Sequence, residues 1–306
     1  MNFKDKLHLD FVKHRNKYFL ISGVLILLGV IFLAIFGLNL SVDFEGGTRV
    51  EIMIEDVPFT ADDINEVFAD IGFSPGEIRI SGNESETAAA LFPGVLTQEE
   101  MDLINATFMS VYGDDIAISE ITVSAGIARE LARSAIYSVL LALVGMGIYI
   151  AFRFEYKFAV SAIVALIQVG LVVVSVFSII RMQVDLTFIA AVLTVIGYSI
   201  NDTIVIFDRI RENLKTAKIK NEDDLAQLVN KSITDTLTRS INTFLTIIFA
   251  VVALYFFGSE SIRPFSFAML IGLIAGAFSS LFIAAQLWYV WKSKEIRKAS
   301  TTSTTN

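Results

Sequence analysis

Six long apolar stretches decide what this chain can fold into. They run approximately from Tyr18 to Leu38, Ser134 to Phe152, Phe158 to Ile180, Leu186 to Phe207, Ser240 to Phe257 and Pro264 to Trp291. A helix needs about 20 mainly apolar residues to cross the hydrocarbon core of a bilayer, and within that core it satisfies its own backbone polar groups. The fifth stretch is short and the last is long. Pro264 suits a first helical position, where no N–H is needed. Tyr18, Phe19, Tyr255, Phe256, Trp288, Tyr289 and Trp291 gather at the ends, as interfacial anchors do. Hydrophobic residues make up 54% of the 306, above the usual 45–50% or so of a soluble domain. The first stretch is too long for the apolar core of a signal peptide and lacks a small-residue cleavage site. It is read as a retained span.

Lysine and arginine set the expected topology. Five lie in the tail before the first span, two between the second and third, seven between Arg209 and Arg239, and four from Lys292 to Lys298. The short connections on the other side hold only Arg181 and Arg263. The positive-inside rule then places both termini in the cytoplasm, in a multi-pass protein of the cytoplasmic (inner) membrane. The expected organisation is a cytoplasmic tail over 1–17, a first helix over 18–38, an outer domain over 39–133, a five-helix bundle over 134–291 and a cytoplasmic tail over 292–306. Phe3, Leu7 and Phe11 recur every fourth residue and suggest a short amphipathic helix on the inner membrane surface.

The outer segment, 39–133, carries 19 acidic residues against four basic ones. That charge suits a well-solvated surface, and equally an acidic face for a partner or passing polypeptide. Its pattern reads as strand Arg49 to Ile54, a helix from Thr60 ended by Gly72, and strands Glu77 to Ser81 and Thr87 to Phe92. A helix opened by the Thr97–Glu100 capping box and closed by Gly113 follows, then a strand from Ile116 to Val123. The order βαββαβ resembles a ferredoxin-like domain. The fold class is therefore an α-helical integral membrane protein with six transmembrane helices and one extracytoplasmic α+β domain.

One residue breaks the apolar run of the fourth stretch. Asp202 costs at least a few kcal/mol there, so an intramembrane acid is a functional candidate by default. Thr194, Tyr198 and Asp202 share a helical face, with Gly197 and Asn201 beside them. The fifth stretch offers its own polar face: Arg239, Thr243 and Thr246, with Asn242 adjacent. Arg239 reads either as an anchor that snorkels to the interface or as a partner that Asp202 gains and loses as it changes protonation. Gly272, Gly276 and Ser280 form a small-residue row suited to close helix packing, and Gly145 and Gly147 do the same in the second stretch. Gln168 suits an interhelical hydrogen bond.

Several functions are excluded or disfavoured. There is no cysteine, and the two histidines, His8 and His14, lie in the basic tail. Neither a disulfide framework nor a metal site is expected. No phosphate-binding loop is present, so the chain is expected to be neither an ATPase nor another enzyme, and to need no cofactor. An intramembrane aspartyl protease needs two facing carboxylates, and only Asp202 lies well inside a span. No nucleic-acid partner is expected. A passive scaffold, in which Asp202 merely holds helices together, stays open.

FGLNLSVDFEGGT, from Phe36 to Thr48, resembles the motif where the first span of SecD and SecF proteins enters the outer domain. VIGYSINDTIVIFDRIREN resembles the fourth-span motif of the SecF branch, and TLTRSINTFLTIIFAVVALYFFG with LIGLIAGAFSSLFIA continues the likeness. Ser41 stands where that family usually has glycine, and Asn242 and Phe244 interrupt its small, hydroxyl-rich pattern. The resemblance implies half of a resistance-nodulation-division transporter, paired with SecD as a heterodimer. It also implies association with the SecYEG channel and use of the proton gradient to promote translocation of an unfolded polypeptide. By position it assigns Asp202 and Arg239 to a proton relay, with Asn201, Tyr198, Thr243 and Thr246 around them. It assigns Asp43, Phe44, Gly46 and Gly47 to the turn that joins the first helix to the outer domain. Movement of a proton near Asp202 is expected to bias that domain's orientation through this turn.

Overall fold

The structure, a computed structural model, describes residues 10–54, 59–81, 87–113 and 115–303. Helix α1 (Arg15–Phe36) leads through strand β1 (Asn39–Leu40) and a single helical turn, α2 (Val42–Glu45), into the outer domain. That domain comprises β2 (Gly47–Ile54), α3 (Ala61–Asp70), β3 (Glu77–Ser81), β4 (Thr87–Phe92), α4 (Gln98–Tyr112) and β5 (Ile116–Val123). The remaining elements are α5 (Ala125–Arg153), α6 (Tyr156–Ile180), β6 (Gln183–Val184), α7 (Leu186–Thr216), α8 (Glu222–Phe257), α9 (Arg263–Ser279) and α10 (Ala285–Ser303). Helices α1, α5, α6, α7 and α8 and the run Arg263–Arg297 are long and apolar enough to cross a membrane.

The outer domain is an antiparallel four-stranded sheet in the order β3-β4-β2-β5, the strand order of a ferredoxin-like fold. Alternate residues of β2 and β4 (Val50, Ile52, Ile54, Ala88, Ala90, Phe92) pack with Ile64 and Phe68 of α3 and Ile104 and Phe108 of α4. The β-branched residues beside the Gly-Gly pair and the helical apolar stripes made part of this core readable. Both helices open with a capping box, Thr60 with Asp63 and Thr97 with Glu100, which satisfies first-turn N–H groups that would otherwise lack partners.

In the bundle, α7 lies against α6, α8 and α9. The last span does not stay α-helical throughout. A π-helical turn at Ser280–Ala284 joins α9 to α10, a distortion that often marks a functional position inside a helix.

Four features differ from the expectations. The charged segment from Arg209 to Arg239 is helical except for a short connection over 217–221: α7 and α8 continue beyond the apolar run and meet as a hairpin. Arg209 donates to Asp235 at 2.6 and 3.0 Å, Asn213 to Ser232 at 2.8 Å, and Asn221 with Asp224 forms the capping box that starts α8. Helix α5 begins directly after β5, nine residues before the predicted span, because Ser124 caps it. Phe3 and Leu7 lie outside the described residues. Phe11 and Val12, however, are buried in the bundle, with Phe11 against Phe282, so residues 11–14 form a turn that docks inward. Lys157, expected in a cytoplasmic loop, is buried and paired with Glu295.

Candidate functional site

Asp202 sits 16 residues into α7, about 24 Å from its outer end at 1.5 Å per residue. Its face of the helix meets α8, and its Oδ1 accepts a hydrogen bond from the Ser240 hydroxyl. Beside the pair lies a cavity of about 40 Å³ between α7, α8 and α9, room for roughly three water molecules at 10–15 Å³ each. Tyr198, Asn201 and Thr243 line it with Asp202 and Ser240. A carboxylate and a hydroxyl beside a mainly apolar cleft that a few polar side chains enter form a place where a proton can be held.

Among the described residues, no hydrogen bond or ion pair joins the other sequence-predicted relay residues to Asp202. Arg239 is exposed, and among the described residues it forms no ion pair or hydrogen bond, although its charge reaches Asp202. Thr246 is exposed and donates to the Thr243 carbonyl at 2.8 Å. Tyr198 is 41% exposed, and Thr194, Asn201, Asn242 and Thr243 are exposed as well. The polar stripes of α7 and α8 thus meet as an open seam on the flank of the bundle. Ser240, the partner of Asp202, was not singled out in the sequence. Its signal was available: Thr236 and Ser240, four residues apart, are both buried hydroxyls on the α7-facing side of α8.

The small-residue row fixes α9 against α7. A Cβ on Gly272 would come within 2.5 Å of Val195, and one on Gly276 within 3.2 Å of Ser199. Ser280 shares a hydrogen bond with Thr203 at 2.8 Å. Val195, Ser199 and Thr203 are successive fourth residues of α7, so the two rows mesh turn by turn. Gln168 accepts from Ser279 at 3.1 Å. Gly147 faces Ile163, whereas Gly145 faces open space.

At the outer end, the turn that joins α1 to the domain has a defined geometry. Ser41 caps α2, its Oγ accepting from the Asp43 N–H at 3.2 Å, a role serine performs better than glycine. Gly46 and Gly47 have φ of 81° and 122°, values that side chains beyond glycine rarely adopt. A Cβ on Gly47 would also meet the Phe92 carbonyl at 2.2 Å. Phe44 packs against the membrane core. Asp43 reaches across to α7, where its Oδ2 accepts from the Leu186 N–H at 3.1 Å. Asp185 caps the same helix end and was missed in the sequence, although an aspartate just ahead of an apolar helix is a cap signature.

Comparison with known proteins places these features in context. The family described as "Protein export membrane protein SecD/SecF, C-terminal" matches residues 104–294, and the SecD/SecF GG motif matches 31–55. The protein translocase subunit SecF of Alicyclobacillus acidocaldarius is 42% identical over 96% of each chain. The subunit SecDF of Bacillus subtilis is 45% identical over 95% of this chain, which spans 39% of that longer protein. Among solved structures, SecDF from Thermus thermophilus, a translocon-associated membrane protein, matches with a TM-score of 0.85 at 32% identity. The match covers 95% of this chain and 40% of that one. SecDF in its super-membrane-facing form gives 0.70 at 30% identity, over 98% and 40%. With the GG motif at the turn between α1 and the outer domain and the remainder of the match running from the outer domain through the bundle around Asp202, this chain belongs to the SecD/SecF family of protein-export membrane proteins.

Proposed function

We propose that the chain works as the SecF-type subunit of a SecDF complex, in the cytoplasmic membrane with both termini inside. In this reading it pairs with SecD, associates with the SecYEG channel and uses the proton gradient to assist translocation of an unfolded polypeptide. The outer domain acts on or guides that polypeptide. The chain is not an enzyme: it carries a proton and makes or breaks no other bond.

The observation that carries this reading is the Asp202–Ser240 pair beside a small cavity, at a seam that opens to the bundle's flank. A transmembrane potential supplies about 2.3 kcal/mol per charge per 100 mV, enough to drive a conformational change without a nucleotide. The exposed polar stripes of α7 and α8 would be costly against lipid and suit a second bundle as their cover.

The same hydrogen bond favours a rival, a passive scaffold in which Asp202 is interhelical glue. Asp202→Asn separates the two, because the amide oxygen still accepts from Ser240 while the group can no longer take up a proton. Pull-down with a SecD homologue and an export assay are read together. The relay reading expects normal assembly and export no better than in cells lacking the chain. Normal export by an assembled Asp202→Asn complex would establish the scaffold instead.

A further inference from the structure

The linker between α1 and the outer domain is stitched to the corner between α6 and α7 along its whole length. Ser178 donates to the Gly37 carbonyl at 2.8 Å, and Arg181 donates to the Phe36 carbonyl. Asn39 donates back to the Arg181 carbonyl at 3.0 Å. Strands β1 and β6 then pair in parallel, Asn39 with Gln183 and Leu40 with Val184. The Ser41 N–H continues the ladder to the Val184 carbonyl at 2.9 Å. The last stitch is the Asp43 carboxylate on the Leu186 N–H, at 3.1 Å.

That last stitch falls on a helix end that already has its own cap. Asp185 Oδ1 accepts from the Phe188 N–H at 2.8 Å and from the Thr187 hydroxyl at 2.7 Å. A helix leaves its first four N–H groups without partners inside the helix, and here two carboxylates from distant parts of the chain share them. Asp185 holds α7 to its own loop, whereas Asp43 holds α7 to the outer domain. On the domain side, Gly47 sits against the Phe92 carbonyl and Gly46 against Ala125 at the start of α5. A groove of about 240 Å³ separates Asn39, Leu40 and Glu45 from Gly76, Glu77 and Pro93 at the lower edge of the sheet. The linker is therefore fixed to the membrane side by this row of bonds and is packed on the domain side at Gly46 and Gly47, with the groove beside it.

We propose that Asp43 is a positioning residue for the relay: its hydrogen bond to Leu186 makes the linker and the Asp202 helix one rigid body, so tilting of the outer domain and movement of α7 are coupled. The coupling to export rests on the function proposed above; the mechanical link does not.

The test uses the full chain with its partner and reads geometry first. Spin labels at Ile121 on β5 and Lys215 at the inner end of α7, both exposed, report the distance from domain to helix. The chain has no native cysteine, so labels and cross-links go only where they are engineered. Asp43→Ala is expected to broaden the distance distribution, while Asp43→Asn, which keeps an acceptor oxygen, stays as narrow as wild type. Adding Leu40→Cys and Val184→Cys, a register pair spaced suitably for a disulfide, is expected to narrow the Asp43→Ala distribution on oxidation and release it on reduction. Export should follow the same order: severalfold lower for Asp43→Ala, near normal for Asp43→Asn, and restored by the oxidised pair. An unchanged distribution in Asp43→Ala overturns the proposal, as does Asn broadening it as much as Ala. Distances that follow the expected order while export does not would leave the link standing and count against the proton-driven function.

Discussion

Two aspartates, Asp202 within α7 and Asp185 at its N-cap, occupy opposite surroundings. Asp202 opens on a small cavity at a seam between helices. Asp185, at the outer helix end, is 9% exposed. Burial pushes its carboxyl up, against the hydrogen bonds from Thr187 and Phe188; Asp43 adds to the rise, and Arg49 opposes it. Its Oδ1 makes both cap bonds, leaving Oδ2 to carry a proton without breaking the cap. A carboxyl whose value is raised by folding stabilises the closed structure while protonated, and that contribution is lost as pH rises through the folded value. Protection of the Phe188 amide against hydrogen exchange should therefore fall as the outer pH rises through that value. In Asp185→Asn, which mimics the protonated form, the protection should not vary over the same range. Protection that rises with pH in the wild type would reverse the sign and assign Asp185 a purely anionic capping role.

At the scale of elements, the mesh of α9 with α7 fixes the height of Asp202. Gly272 lies against Val195, whose β-branched side chain has little rotamer freedom, so a Cβ at 2.5 Å must displace a helix. Gly272→Val should cost about 1–3 kcal/mol, as overpacking does, lowering the thermal unfolding midpoint in detergent. Gly276→Ala, facing Ser199 at 3.2 Å, should cost clearly less. Equal losses at the two positions would mean that α9 has room to shift and does not hold α7 in register. Much of this level was legible in the sequence. Apolar length gave the spans, an apolar stripe from Thr60 gave α3, a capping box gave the start of α4, and the small-residue row marked the α9 interface. Other parts carried too little local signal. The β1–β6 ladder is two residues long on each side, below any readable period, and its partners lie some 140 positions apart. Ser240 and Asp185 did carry a local signal, a hydroxyl spaced four residues from Thr236 and an aspartate just ahead of an apolar helix, but only tertiary structure shows that Ser240 meets Asp202. The hairpin of α7 and α8 went unread because hydropathy falls where the helices leave the apolar run, although their backbones continue.

For the molecule as a whole, the asymmetry of the bundle matters most. Helices α1 and α5 expose aliphatic and aromatic side chains such as Leu20, Leu27, Leu141 and Phe152, as lipid-facing helices should. The flank formed by α7 and α8 instead exposes Tyr198, Asn201, Arg239, Asn242 and Thr243. These groups sit at the depth of Asp202, and in hydrocarbon each would lack hydrogen-bond partners that water or another protein surface supplies. On the function proposed above, such a flank is half of an interface. The SecDF chains whose folds this one matches are more than twice its length, enough to contain a second bundle of similar size. A single cysteine at Asn242 should therefore react readily with a water-soluble maleimide when the chain is purified alone in detergent. Co-expression with a SecD homologue should slow that reaction at least tenfold. A cysteine at Phe152, 90% exposed on α5, serves as the control and should label equally in both preparations. Undiminished labelling at Asn242 in a verified complex would place SecD on another face and leave the polar seam open to water.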